Sequence, residues 1–456
     1  MIRESVSTMA KWLNDADIIN ISEDTSIAGV CTDTRNILPG SLFIPIVGER
    51  FNGHDFVKQA IDRGAKAALW STKEADAPED LPLIFVEDTI EALQQLAKHY
   101  LRTIGAKVIA VTGSNGKTTT KDMMAAVCET LWKVQKTQGN FNNHIGMPLT
   151  ILALQKDTEA VILEMGMSGF GEIELLSQIA EPDAAIITNI GESHLQDLGS
   201  RENIAKAKME IAKGLKDGAP LVFHGDEPLL TPLTEQSPHP LLTFGHRDTN
   251  RYFPQEIVHE PNGTRFNVGG NEIGSYFITV LGAHNVLNAI AVIATARWFG
   301  IEDHKINLGF QSVQMTGMRL EQLSGADGVT IINDAYNASP TSVKAALELV
   351  QDMKGHQNKY VVLGDMLELG EAEEMFHFDT GAMIDPAAIT GVFTYGTLSE
   401  HIQKGALRRF EEERAMHFSD KPALISHLKS VLKSDDLVLI KGSRGMKLEE
   451  VAEALL

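Results

Sequence analysis

The chain has 456 residues, of which 43% are hydrophobic and 22% charged, and a net charge of −21. That length suits about three domains of roughly 150 residues each, and the acidic balance, with no long basic run, disfavours nucleic acid as a partner. Cys31 and Cys128 supply no disulfide framework and no apolar run reaches about 18 residues, so a cytoplasmic protein without membrane insertion is expected.

Residues 1–88 hold short apolar runs, GSLFIPIVG and AKAALWS, and a helical stretch around GHDFVKQAIDRGA, before an acidic, proline-bearing surface loop at 74–82. The helix TIEALQQLAKHYLRTI then leads into a second segment. There KVIAVTG, EAVILEMG, AAIITNI and PLVFHGD are apolar runs ending in polar residues, the form of buried parallel strands. Helical stretches such as IELLSQIA and NIAKAKMEIAKGL separate them. GTRFNVGGNEIGSYFITVL alternates and is expected to turn on Gly269-Gly270-Asn271, making a small antiparallel insert. HNVLNAIAVIATARWFG closes the segment. After a connection at QSVQMTGMRLEQL, the runs VTIIND, KYVVLGD, GVFTYG and DLVLIKGS repeat the strand–helix alternation. The expectation is an α/β protein of three domains: 1–88, 89–314 with a P-loop ATPase-like parallel sheet, and 315–456 with a Rossmann-like sheet.

The chemistry begins at TGSNGKTT. A P-loop usually reads G-x-x-x-x-G-K-[ST], and Val111 stands where its first glycine belongs. The strand before and the helix after are in place, so the segment Gly113, Ser114, Asn115, Gly116, Lys117, Thr118, Thr119 is read as a nucleotide cradle. Its amides and Lys117 would hold phosphates, and Thr118 a Mg²⁺ ion. Glu164, at the neighbouring strand end, is a second oxygen ligand or a solvated carboxylate. His194 follows another strand end and reads as structural or as a ligand. In GNFNNHIGMPLTIL, the side chains of Asn140, Asn142 and Asn143 either grip an amide-rich ligand or satisfy their own turn. Thr34 and Arg35 in TDTR, with Arg50 and His54, form an anion-binding rim or a solvated loop. In the third segment Asp334, Tyr336 and Asn337 follow one strand, and Lys441, Ser443 and Arg444 another, at the carboxyl ends where ligands bind such sheets.

Taken together, T-G-x-x-G-K-T, the strand-end Glu164, the later His194, GAHNVLNA, the hinge Arg319 and the terminal KGSR resemble the Mur ligase family over essentially the whole chain. The resemblance implies that ATP activates a carboxylate as an acyl phosphate, which an amine then attacks. It implies Mg²⁺ held by Thr118, Glu164, His194 and a carbamylated Lys208, with Lys117, Lys208, His194 and Arg319 as the catalytic set. Asn285 and Asn288 would lie near adenine and Asp334, with Tyr336, near the ribose. Thr34, Arg35, Asn140, Asn142, Asn143, Asn337, Lys441 and Arg444 would meet the acceptor and donor substrates. TDTR…PGSLF, GNFNNHIGMPLT, DAYNASP and VLGDMLELG further imply a UDP-linked muramoyl tripeptide and D-alanyl-D-alanine as small-molecule substrates of a monomeric enzyme. Met318 departs from the pattern, standing where members often have glycine before the hinge arginine. Two alternatives remain: another carboxylate–amine ligase of the superfamily, including one that adds glutamate to folates, and a P-loop switch. Guanine-specific switches usually carry N-K-x-D, which this sequence lacks.

Overall fold

The computed structural model describes residues 1–260, 262–270 and 274–456. Three sheets follow one another along the chain. The first has five strands in the order Ile18–Ile19, Leu83–Val86, Ala67–Ser71, Leu42–Phe43, Val30–Cys31, and a two-stranded ribbon pairs Arg3–Ser5 with Ser26–Ala28. GHDFVKQAIDRGA folds as a turn of 3₁₀ helix, Gly53–Phe56, running into the helix Val57–Asp62. His54 is buried there: its Nε2 accepts from the Ser71 amide at 3.1 Å and its Nδ1 lies 2.8 Å from Asn52 Oδ1. Its role is structural, which removes it from the expected rim.

The helix Thr89–Ile104 begins where Asp88 accepts from the Ile90 and Glu91 amides, and it ends at Gly105, whose left-handed φ of 70° suits glycine. Its apolar face packs against the helices Gly146–Leu152 and Glu172–Ala180, and Tyr100 donates to the Leu154 carbonyl at 2.8 Å. The helix therefore bolts the first sheet onto the second.

That second sheet has nine strands. Lys107–Thr112 lies at its heart, parallel to Ala160–Glu164 on one side and Ala184–Ile187 on the other. Val134–Lys136 adds a parallel edge, and Leu221–His224 and Leu241–Phe244 extend the opposite side. The expected antiparallel insert is present as Tyr252–Glu260, Gly263–Gly270 and Gly274–Ile278, continuing the same sheet. Gly269 and Gly270 end a strand here, and Asn271 lies outside the described residues. Val134–Lys136 and Leu241–Phe244 escaped the sequence reading because each is a short strand without a long apolar run.

The third sheet runs Glu321–Ser324, Thr330–Asp334, Leu437–Lys441, Lys359–Gly364, Gly391–Tyr395, Ala415–Phe418, parallel except for its first strand. Three carboxylates fix the link into it. The Thr316 amide donates to Asp122 Oδ2 (2.8 Å), that of Met318 to Glu321 (2.9 Å) and that of Leu320 to Asp334 (3.1 Å). Met318 and Leu320 both have positive φ, 61° and 50°, which explains why glycine suits the first of these positions.

Asp122 is fully buried, with Lys136 Nζ at 2.7 Å and Lys121 Nζ at 3.5 Å. Removing one partner from such a cluster strands the others in a poorly solvated interior. Asp122→Ala should therefore destabilise the central unit by about 3–5 kcal/mol. Thermal unfolding checks this; an unchanged midpoint would mean the buried cations find other partners.

Candidate active site

Parallel pairing creates the site. In the register of the central sheet Glu164 sits beside Val111, so the carboxylate emerges next to the P-loop, and the strand on the other side delivers residues 188–194. Asn189 is the loop's scaffold. Its carbonyl accepts from the Ser114 amide (3.1 Å) and its side chain from the Asn115 amide (3.0 Å). Thr188 Oγ1 and Asn189 Nδ2 both donate to the Asn115 carbonyl. The amides of Ser114 and Asn115 are thus spent on the loop itself. Those of Gly116, Lys117, Thr118 and Thr119 have no acceptor among the described residues. Four free N–H groups at the start of the helix Lys117–Glu129 form an anion cradle, with the helix dipole behind them. The missing first glycine leaves this donor set intact.

The remaining charges complete it. Lys117 Nζ folds back onto the Gly113 carbonyl at 2.8 Å, and enclosure lowers its pKa below the usual lysine value against the pull of Glu164 and Glu368. Glu164 is buried; it accepts from Thr118 Oγ1 at 2.8 Å and from Asn142 Nδ2 at 2.9 Å. Arg319 lies over the Tyr336 ring, 4.1 Å from its centroid, with a buried Nε that has no partner. Asp334 and Lys441, side by side in the third sheet, pair at 2.6 Å, and Lys441 also donates to the Asn337 carbonyl at 2.9 Å. Asn288 donates to Asn285 at 2.8 Å and lies close against Gly116.

One cavity of about 440 Å³ gathers most of the sequence-identified residues: Ser114 to Thr119, Asn142, Asn143, Glu164, His194, Asn285, Asn288, Arg319, Asp334, Tyr336, Asn337 and Lys441. Thr34, Arg35, Asn140, Arg444 and Lys208 do not line it. Arg35 forks onto Asp33 at 2.8–3.1 Å, holding that carboxyl down at about 2, and Thr34 accepts from Arg63 through its carbonyl. Arg444 pairs with Glu449 at 2.7 Å. Lys208 is only 2% exposed, whereas Lys206, on the same helix, faces solvent. The Lys208 ammonium has no hydrogen bond or ion pair among the described residues; burial, and then Lys117, push its pKa well below the usual lysine value. Thr188, Asn189 and His284 were missed as site residues, although TNI and GAHN sit at a strand end and a helix start. Glu368 was missed too, inside the quoted VLGDMLELG. Its carboxylate lies 2.8 Å from His194 Nδ1.

No group of three or more His, Cys, Asp or Glu side chains among the described residues forms a metal cage. Mg²⁺ rarely needs one, since it is usually held by one or two carboxylates with phosphates and water. A hydroxyl and a carboxylate oxygen 2.8 Å apart at the rim of a phosphate cradle fit that ion.

Free amides, the Lys117 ammonium and the unpartnered Nε of Arg319 define a P-loop enzyme that handles a nucleotide between two α/β units. Comparison with known proteins makes this specific. The Mur ligase middle-domain model matches residues 111–296, the Mur ligase glutamate ligase domain 318–444, and the Mur ligase catalytic domain 26–101. The chain is 50% identical to the UDP-N-acetylmuramoyl-tripeptide–D-alanyl-D-alanine ligase of Bacillus subtilis (strain 168), over 100% of this chain and 99% of that protein. Its fold matches MurF from Acinetobacter baumannii with a TM-score of 0.89, at 28% identity over 100% and 99% of the two chains. MurF from Thermotoga maritima in complex with ADP matches at 0.82, with 29% identity over 94% and 96%. The chain belongs to the Mur ligase family.

Gly113 tests the cradle. A Cβ there would lie 1.8 Å from Thr188 Oγ1, at a φ of 148°. Gly113→Ala should abolish detectable ADP binding by titration calorimetry while far-ultraviolet circular dichroism stays unchanged. Retained affinity would show that the loop relaxes without harm.

Proposed function

We propose that this chain is an ATP-dependent ligase that joins D-alanyl-D-alanine to UDP-N-acetylmuramoyl-tripeptide, a step in peptidoglycan precursor synthesis. The observation that carries the reading is the single cavity in which the free amides of the central unit face Arg319, Asp334 and Lys441 of the third. The 50% identity to a ligase of that name supports the substrate pair.

A carboxylate resists amines because oxide is a poor leaving group. ATP would supply the phosphoryl group that turns the tripeptide carboxylate into an acyl phosphate, and Mg²⁺ would offset the charge of the transfer. Attack by the dipeptide amine then forms the amide and releases phosphate. This chain's residues bind and neutralise: the amides of Gly116 to Thr119 and Lys117 hold phosphates, and Arg319 adds charge where oxygens crowd. Asn285 and Asn288 face the adenine, and Asp334, steadied by Lys441, the ribose with Tyr336. Thr118, Glu164 and His194 hold the metal. The first unit, 1–88, takes the UDP end through Thr34 and Arg35. The unit 89–314 takes ATP and, through Asn140, Asn142 and Asn143, the peptide stem. The unit 315–456 takes the dipeptide through Asn337, Lys441 and Arg444. The enzyme would act in the cytoplasm as a monomer; no helix among the described residues is long and apolar enough to cross a membrane.

Lys208 joins the metal set as a carbamate. CO₂ adds only to a neutral amine, and burial with no counter-charge favours that form. The carbamate would replace a repelled ammonium with an oxyanion.

With ATP, Mg²⁺ and the UDP-linked tripeptide, ADP release should require D-alanyl-D-alanine and match amide formation one for one. An enzyme that instead added lysine or diaminopimelate to the dipeptide-stage precursor would refute the substrate assignment. Lys117→Ala should cut kcat by about 100- to 1,000-fold in the same assay, and near-normal turnover would remove the P-loop from the chemistry. Lys208→Ala should be nearly inactive and partly rescued by acetate; full activity without rescue would end the carbamate's role.

A further inference from the structure

Metal-binding imidazoles commonly donate their second ring N–H to a carboxylate, which fixes the tautomer and turns the other nitrogen toward the ion. His194 has a carboxylate in that position, and it comes from another unit of the protein. Glu368, in the segment after the strand Lys359–Gly364, brings Oε2 to 2.8 Å from His194 Nδ1. We infer that Glu368 is a positioning residue: the third unit delivers it to His194, so the metal-facing nitrogen of that imidazole is presented only when the two units are docked. The inference rests on His194 being a metal ligand, as proposed above.

Three observations carry it. The pair is not a stability device, because the Glu368 side chain is 53% exposed and such pairs contribute little. Both residues are held in left-handed backbone, His194 at φ 65° and Glu368 at φ 66°, which non-glycine residues rarely adopt. Strain on both sides of one contact persists only where the surroundings impose it, and such outliers concentrate at functional clamps. The surroundings are also present. The Gln196 amide donates to the Glu368 carbonyl at 3.1 Å, and Gly370, at φ 72°, packs against Gln196.

The docking extends beyond this pair. Thr341 donates to Glu192 at 2.7 Å and Ser339 to the Asn115 side chain at 3.2 Å, so the third unit meets both the P-loop and the 188–196 segment. A carboxylate only accepts, so a hydrogen bond from Nδ1 to Glu368 would hold the proton there and leave the lone pair on Nε2. Nδ1 lies within reach of Glu368 but without an aligned hydrogen bond to it. A modest ring turn aligns it, and catalytic contacts commonly tighten when ligands bind.

The test measures Mn²⁺ binding to the full chain with ADP, by electron paramagnetic resonance, in the unaltered protein and in Glu368→Asn, Glu368→Gly and His194→Ala. Asn and Gly both accept the left-handed backbone, so they remove the carboxylate without adding strain. Both should weaken Mn²⁺ binding by about 10- to 100-fold, with metal-free ADP affinity and melting temperature unchanged; Glu368→Asp should recover part of the loss. If His194→Ala weakens Mn²⁺ binding and neither Glu368 variant does, the positioning role is overturned. If His194→Ala also leaves Mn²⁺ binding unchanged, the metal assignment of His194 falls and this inference falls with it.

Discussion

Four backbone amides organise the cleft. Gly116 to Thr119 start a helix with no protein acceptor for their N–H groups, and such a row of donors suits an anion. The chain could have capped this helix with a side chain, as Asp88 caps Thr89–Ile104. Instead Gly116 occupies the cap position with a φ of 79° and contributes no side-chain bond. Asn189 holds the loop from behind by consuming the two preceding amides, which keeps the free ones turned outward. An acidic chain has thereby built a local site for a highly charged anion without a basic surface.

The second constraint is the junction between the central and third units. Alternate hinge amides, those of Thr316, Met318 and Leu320, are each tied to a carboxylate, and these come from the P-loop helix, the hinge's own strand and the third sheet. The two left-handed residues on either side of Arg319 each cost about 1–2 kcal/mol, and the outcome is a guanidinium laid over Tyr336 with a buried Nε that has no hydrogen-bond partner. Asp122 connects this junction to the P-loop helix. It lies one helical turn from Thr118, and its neighbour Lys121 donates to the Thr137 carbonyl, while Thr137 Oγ1 accepts from the Glu164 amide. A chain of polar contacts therefore runs from the Glu164 backbone through Thr137, Lys121 and Asp122 to the hinge.

Much of this was legible because local chemistry carried it. Strands such as VIAV and AVILE are continuous apolar runs, and a strand–glycine loop–helix sequence with Lys117-Thr118 reads as a phosphate site on its own. What stayed hidden depends on partners distant in sequence. Val134–Lys136 is a strand only because Ala160–Glu164 lies beside it, and Glu321–Ser324 reads as hinge until Thr330–Asp334 pairs with it. His54 resembled its basic neighbours on a polar loop, and only the fold shows Ser71 and Trp70 enclosing it. Lys441 read as a lone cation at a strand end, and only strand register shows Asp334 beside it as an ion-pair partner.

Lys208 shows the limit from the other side. Nothing in AKAKMEI separates Lys206 from Lys208, because one helix carries both and their spacing of two puts them on different faces. Burial separates them. A lysine ammonium held inside without an acceptor or a counter-charge is a state that proteins avoid by losing the proton or changing the group. Beside Lys117 the pressure is greater, since a second cation nearby opposes protonation further. An amine whose charged form burial disfavours in this way serves packing poorly, because an aliphatic residue would fill the space without the polar atom. Its presence makes sense if the nitrogen is to bear something else, and the carbamate proposed above would put an oxyanion where burial disfavours an ammonium.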